Sequence, residues 1–201
     1  ESGLEHRFVC KLRFNKKLSY EQCLISDTDP QEVGVSPLKP RNLNKKSLNL
    51  SKIIQMLINK ISKTLIKEKK ANYALLRGFS TYPEIPTFNE LYNLNACSIT
   101  TYPMYKGISS LVGMTPISSV GISIGSQVDA LRKAYPKYNF FYFHIKKTDS
   151  YGEDGNYKKK IKIIEDFDKV LPSITSLNFD VLCITGDHST PSKIKSHSWH
   201  P

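Results

Sequence analysis

Asp187 and His188 stand side by side in the polar run Thr185-Gly186-Asp187-His188-Ser189-Thr190-Pro191, and His197 follows within Ser196-His197-Ser198. A carboxylate and two imidazoles are the donor types that suit a divalent ion such as Zn²⁺ or Mn²⁺. The run directly follows Asp180-Val181-Leu182-Cys183-Ile184, an apolar β-branched stretch that predicts a buried parallel strand. Open α/β sheets hold their ligands just past the carboxyl ends of such strands. His197 is close enough in sequence to fold back to the same place. Taken alone, the Asp-His pair equally fits a turn capped by Asp187 with histidines at the surface.

A second polar constellation changes that balance. It is Lys146-Lys147-Thr148-Asp149-Ser150-Tyr151-Gly152-Glu153-Asp154-Gly155, read as a loop between the aromatic strand at 139–145 and a helix from Tyr157. Two carboxylate-bearing loops over one sheet edge point to a metal or phosphate site more strongly than either alone. Elsewhere, Arg77-Gly78 ends an apolar run at 71–76, where a guanidinium could clamp phosphate bidentately. Asp27-Thr28-Asp29-Pro30 is a turn-former that exposes carboxylates at the end of a short strand at 22–26. Arg77 equally fits a surface ion pair, and Asp27 and Asp29 equally fit turn capping.

These residues need a scaffold, and the remaining pattern supplies one. A first strand is expected over 7–14 and a polar loop over 31–49. A helix follows from Leu50 with a stripe of Ile53, Ile54, Leu57, Ile61 and Leu65. The proline-bearing stretch 81–86 reads as a hinge, giving domains 1–85 and 86–201. Beyond it, strands at 96–100, 116–120, 139–145 and 180–184 alternate with helices at 104–112, 127–134 and 157–171. Tyr157, Ile161, Ile164 and Leu171 are expected to face inward. Such alternation implies a mostly parallel sheet covered by helices, an α/β fold.

Composition bounds the function. With 201 residues, 39% of them hydrophobic, the chain can bury a real core, and it has no stretch apolar enough to span a membrane. The start shows no signal-peptide pattern. Cys10, Cys97 and Cys183 lie in strand-like segments and no Cys-x-x-Cys spacing involves Cys23, so buried thiols in a reducing cytoplasm are expected rather than disulfides. The net charge of +11 suits an anionic partner. Its lysines sit mainly in helical and loop stretches without an aromatic-basic motif, which disfavours nucleic acid.

The motifs together carry a resemblance. Glu5-His6-Arg7-Phe8, Ser26-Asp27-Thr28-Asp29-Pro30, Leu75-Leu76-Arg77-Gly78, Met104-Tyr105-Lys106-Gly107 and Leu111-Val112-Gly113-Met114 occur in order along the chain. They are followed by His144-Ile145-Lys146 with Thr148-Asp149, then by 185–191 with His197-Ser198. This set resembles the archaeal-type, 2,3-bisphosphoglycerate-independent phosphoglycerate mutases of the alkaline phosphatase superfamily.

That resemblance implies an alkaline phosphatase-like sheet interrupted by a smaller α/β transferase-like lobe. It also implies transfer of phosphate between the 3 and 2 positions of glycerate through a phosphoserine, in glycolysis, with two divalent metal ions (Mn, Mg or Zn). Asp187 and His188 would ligate one metal, and Asp149 and His197 the other. Arg77 and Lys106 would neutralise substrate charge, and Asp27 or Asp29 would position glycerate hydroxyls. The family's Asp-Gly segment and nucleophilic serine have no counterpart here, which implies the middle and later part of a longer protein, inactive by itself. Where the family has Gly-His-Asp-Gly, this chain has Gly152-Glu153-Asp154-Gly155, so Glu153 replaces a histidine ligand and favours harder ions such as Mg²⁺ or Mn²⁺. A catalytically weakened structural or regulatory relative is the alternative.

Overall fold

The structure, a computed structural model, describes residues 7–118 and 121–199. The chain divides into two compact units: Val9–Glu84, and Ile85–Pro201 together with Glu1–Phe8.

In the Val9–Glu84 unit the organising element is helix α1, Leu48–Thr64. Its Leu50, Ile54 and Ile58 are spaced by four and bury one stripe against Cys23, Ile25, Ala74 and Leu76. The expected stripe is partly correct: Ile54 is buried, whereas Ile53 points outward and is 39% exposed. The strands expected in this unit do not form as ladders. Residues 20–23 are a 3₁₀ turn, and Ile25 makes a single antiparallel bridge to Asn42. The polar stretch 31–49 also holds a 3₁₀ turn, Lys45–Ser47, capped by Asn44. At 71–76 the chain is extended without a strand partner. It is tied instead by Thr28, whose N–H donates to Leu76 O and whose hydroxyl accepts from Leu76 N at 2.7 Å. The alternating residues Phe8, Leu12 and Phe14 stay 39–47% exposed, so the expected strand over 7–14 is absent.

The second unit is α/β, as its alternation requires. Strands β1 (Ala96–Ile99), β2 (Thr115–Pro116) and β3 (Phe140–Phe143) form a parallel sheet in the order β2-β1-β3. The reading of 116–120 as a strand is met only at Pro116, and Ser119 and Val120 lie outside the described residues. Past the short helix α2 (Phe88–Tyr92), crossovers run through α3 (Pro103–Leu111) and α4 (Ile124–Ala134), the latter capped by Ser123, which accepts from Ser126 N. β1 is buried along its whole length, as a central parallel strand must be.

Helix α6, Tyr157–Thr175, covers the sheet together with α4. Its inward stripe is Phe167, Val170 and Ile174 packed with Ile99, Val128 and Leu131. The expected inward set is therefore displaced: Tyr157, Ile161 and Ile164 are all at least half exposed. The 3.6-residue period fits both faces here, and the sheet selects the one carrying the bulkier Phe167.

The largest correction concerns 180–184. No strand forms there, and Val181 is 83% and Ile184 60% exposed. A parallel-strand pattern marks a segment fit for pairing, but among the described residues nothing pairs with it. The cysteines follow suit: all are free, Cys23 and Cys97 are buried, and Cys10 and Cys183 are exposed. Burial pushes the Cys97 thiol up to about 12.

Candidate metal centre

The site is built from two segments that approach just beyond β3. The first is helix α5, Lys147–Glu153, where a loop was expected. Its composition explains both readings. Gly152 and Gly155 suggest a loop, yet Asp149 in the first turn favours the helix N-terminus, and Gly155 at φ 69° closes its C-terminal end. The second segment doubles back on itself. Ser189 and Ser198 form an antiparallel bridge, with Ser198 N donating to Ser189 O at 3.0 Å. That bridge returns His197 to His188, and their rings meet at a 33° tilt with centroids 3.9 Å apart.

Gly152 brings the segments together. A Cβ on it would lie 2.2 Å from Thr190 O, so only glycine lets α5 approach this closely. Lys160 Nζ donates to the same carbonyl at 2.7 Å, fixing α6 to the loop as well.

Asp149, His188 and His197 then converge, each offering one donor atom, all within 4.8 Å of one another. His197 Nε2 lies 3.6 Å from Asp149 Oδ1 and 3.5 Å from Glu153 Oε1. His188 Nε2 lies 3.4 Å from Asp187 Oδ2, while Asp187 Oδ1 accepts from the His188 backbone N–H. Thus Asp149, His188 and His197 form one cluster, with Asp187 and Glu153 at its margins. Within this set the 3.4 Å contact joins His188 to Asp187, and the 3.6 Å contact joins His197 to Asp149. Two imidazoles and a carboxylate fit zinc or manganese, whose ligands at about 2.0–2.2 Å from a shared ion would draw slightly closer together than these atoms stand.

The carboxylate at the centre is held from both sides. Lys146 Nζ donates to Asp149 Oδ2, and the Thr190 hydroxyl donates to Oδ1 at 2.5 Å. Burial alone would raise the Asp149 pKa. The hydrogen bonds from Lys146 and Thr190, with the nearby positive charge, outweigh burial and hold it below the usual carboxylate value. Burial likewise opposes the charge on Lys146, yet its bond to Asp149 and the surrounding carboxylates leave its pKa raised. Neither Thr190 nor Lys146 stands out by composition. The sequence signal for Thr190 is its place two residues after His188, and for Lys146 its place three before Asp149.

Beside the cluster, His144 packs on Tyr105 at a 35° tilt with centroids 3.8 Å apart, and burial lowers its pKa. Lys106 sits half-buried on α3 and makes no ion pair among the described residues. Arg77, Asp27 and Asp29 are brought together within the Val9–Glu84 unit. Arg77 Nη1 is 3.6 Å from Asp29 Oδ2 and Nε is 3.9 Å from Asp27 Oδ2, while Asp27 Oδ1 accepts from Gly78 N.

The sequence pattern of the Metalloenzyme superfamily matches residues 15–201, and the chain belongs to that superfamily. Membership implies dependence on a divalent metal. Among its relatives is a protein of Aquifex aeolicus named "Probable 2,3-bisphosphoglycerate-independent phosphoglycerate mutase", 51% identical over 199 residues. The match covers 99% of this chain and 49% of that protein. A Thermotoga maritima protein of the same name is 46% identical over 99% of this chain and 48% of its own length. The chain therefore spans about half the length of these curated relatives.

Among solved structures, the PH0037 protein from Pyrococcus horikoshii superposes with a TM-score of 0.63 at 29% identity, over 76% of this chain and 46% of that one. The cofactor-independent phosphoglycerate mutase of Thermoplasma acidophilum shares the fold, with a TM-score of 0.50 at 20% identity over 77% of this chain and 43% of that one. The alkaline phosphatase-like α/β fold and the resemblance to this mutase family are thereby established. No helix among the described residues is long and apolar enough to cross a membrane.

Proposed function

We propose that this chain carries the metal-binding part of a 2,3-bisphosphoglycerate-independent phosphoglycerate mutase, converting 3-phosphoglycerate to 2-phosphoglycerate in the cytoplasm. The observation that supports this most directly is the convergence of Asp149, His188 and His197 in a chain about half identical to proteins so named. Bound there, a divalent ion would supply Lewis acidity toward a phosphoryl oxygen. The chain's own residues hold the donors in place: Thr190 and Lys146 orient Asp149, and the Ser189–Ser198 bridge sets His197 against His188. Asp187 and Glu153 would complete the ligand set, with two ions in all. Arg77 and Lys106 would neutralise substrate phosphate or carboxylate, with Asp27 and Asp29 toward the hydroxyls. The reading includes a phosphoserine formed on a residue outside this sequence, with Val9–Glu84 as part of an inserted transferase-like lobe.

The test is a coupled mutase assay on the full-length protein, before and after chelation. Activity should vanish with chelator and return with Mn²⁺, and His188→Ala and His197→Ala should each weaken metal binding by about a hundredfold. Turnover indifferent to chelation would overturn the reading. One observation favours a second reading, a catalytically weakened relative: Glu153 stands where the resemblance calls for histidine, its carboxylate beside His197. Metal binding without turnover in the full-length protein would select that alternative.

A further inference from the structure

Thr190 is the side chain that touches both kinds of donor in the cluster, and it is 3% exposed. Its hydroxyl oxygen lies 2.5 Å from Asp149 Oδ1 and 3.1 Å from His188 Nδ1. A hydroxyl has one proton to give, and an ionised carboxylate can only accept. The Asp149 contact has the length of a charge-assisted O–H···O⁻ bond, so the Thr190 proton points there. Toward His188 the same oxygen is left with only lone pairs. His188 Nδ1 must therefore carry a hydrogen and donate it. In a neutral ring, Nε2 then keeps its lone pair.

We propose that Thr190 is a positioning residue that locks neutral His188 in its Nδ1–H tautomer and so presents Nε2 as a ready metal donor. The assignment deepens the reading of this cluster as a metal centre. It leaves His188 Nε2 with its lone pair facing Asp187 Oδ2 at 3.4 Å. A lone pair and a carboxylate so close repel, and a shared cation is what relieves them. Gly152 and Lys160, both in contact with the Thr190 carbonyl, hold the hydroxyl at the point where it can serve both partners. Serine could make the same bonds, whereas valine keeps the shape and loses them.

The test is ¹⁵N-histidine NMR on the full chain, metal-free at pH 8, read by long-range ¹H–¹⁵N correlation. His188 should appear as the Nδ1–H tautomer, the form less favoured by histidine free in water. Thr190→Val should lose that preference, and Thr190→Ser should restore it. Zinc affinity should fall about thirtyfold in Thr190→Val and recover in Thr190→Ser. An Nε2–H tautomer or an imidazolium in the parent chain would overturn the proposal, and that result does not depend on any variant folding. So would an unchanged tautomer in Thr190→Val. If the tautomer is as proposed but no variant binds zinc, the metal reading fails while the role of Thr190 stands.

Discussion

Two groups of opposite charges in this chain look alike on paper and differ in what water does to them. Arg77 faces Asp27 and Asp29 at 3.6–3.9 Å, with side chains 52%, 41% and 22% exposed. Lys146 contacts Asp149 directly, and their side chains are 19% and 17% exposed. In the first group solvent screens Arg77 and Asp27, and the separations are too long for hydrogen bonds, so the charges lean on one another weakly. In the second, each charge has given up most of its hydration and relies on its partner to replace it. The difference teaches where function is rigidly built. The Arg77 group is held by long contacts alone, whereas Asp149 is hydrogen-bonded from two sides.

Closing the approach that desolvates Asp149 should produce the largest effect. Gly152→Ala sets a Cβ 2.2 Å from a backbone carbonyl that cannot rotate aside. It should destabilise the protein by about 3 kcal/mol in denaturant titration and pull Thr190 off Asp149. A loss below about 1 kcal/mol would mean that the 189–198 loop adjusts freely and that Asp149 is less constrained than argued.

Removing the cation from each group is the direct comparison. Lys146→Met leaves Asp149 partly buried without its counter-charge and should cost about 2 kcal/mol in metal-free protein. Added Mn²⁺ should recover much of it by supplying a replacement charge. Arg77→Met should cost within about 0.5 kcal/mol, because its contacts are long and Arg77 and Asp27 stay hydrated. Equal losses would remove the distinction between the groups.

The same contrast has a pH signature. Asp149 has a folded pKa held below its usual value, so its contribution is present above the unfolded carboxylate pKa and is lost as pH falls through the folded one. Lys146 has a folded pKa above its usual value, so its contribution is present below the unfolded pKa and is lost as pH rises through the folded one. Metal-free parent protein should therefore lose stability at both ends of the range, and Lys146→Met should flatten both slopes in pH-dependent unfolding. A Lys146→Met profile parallel to the parent's would assign those slopes to other groups.

How far the sequence carried this picture depends on where the deciding partner lies. The alternation from residue 96 onward yielded β1, β3, α3, α4 and α6 because each apolar pattern meets a partner within the chain. The identical kind of pattern at Val181–Ile184 misled, since hydrophobicity encodes readiness to pair and not the presence of a neighbour. Asp149, His188 and His197 were legible as donor types, and they come together although no strand at 180–184 carries the second segment. The route to that approach was not legible. It depends on the Ser189–Ser198 bridge and on the missing Cβ of Gly152, neither of which leaves a periodic mark.

Glu153 gives the smallest and most discriminating test, because it sits on the border between the two regimes. Its Oε1 is 3.5 Å from His197 Nε2, like a member of the cluster, yet its side chain is 50% exposed, like the Arg77 group. If exposure governs, its charge is largely screened and it assists metal binding weakly. Glu153→Ala should then lower Mn²⁺ affinity only about threefold by calorimetry. Glu153→His should shift preference toward zinc, because a third imidazole replaces a hard oxygen donor with a softer nitrogen. The comparison breaks in either direction. A loss near that of His197→Ala would make Glu153 a full ligand that draws inward on binding, and no change in either variant would leave it a surface carboxylate of α5.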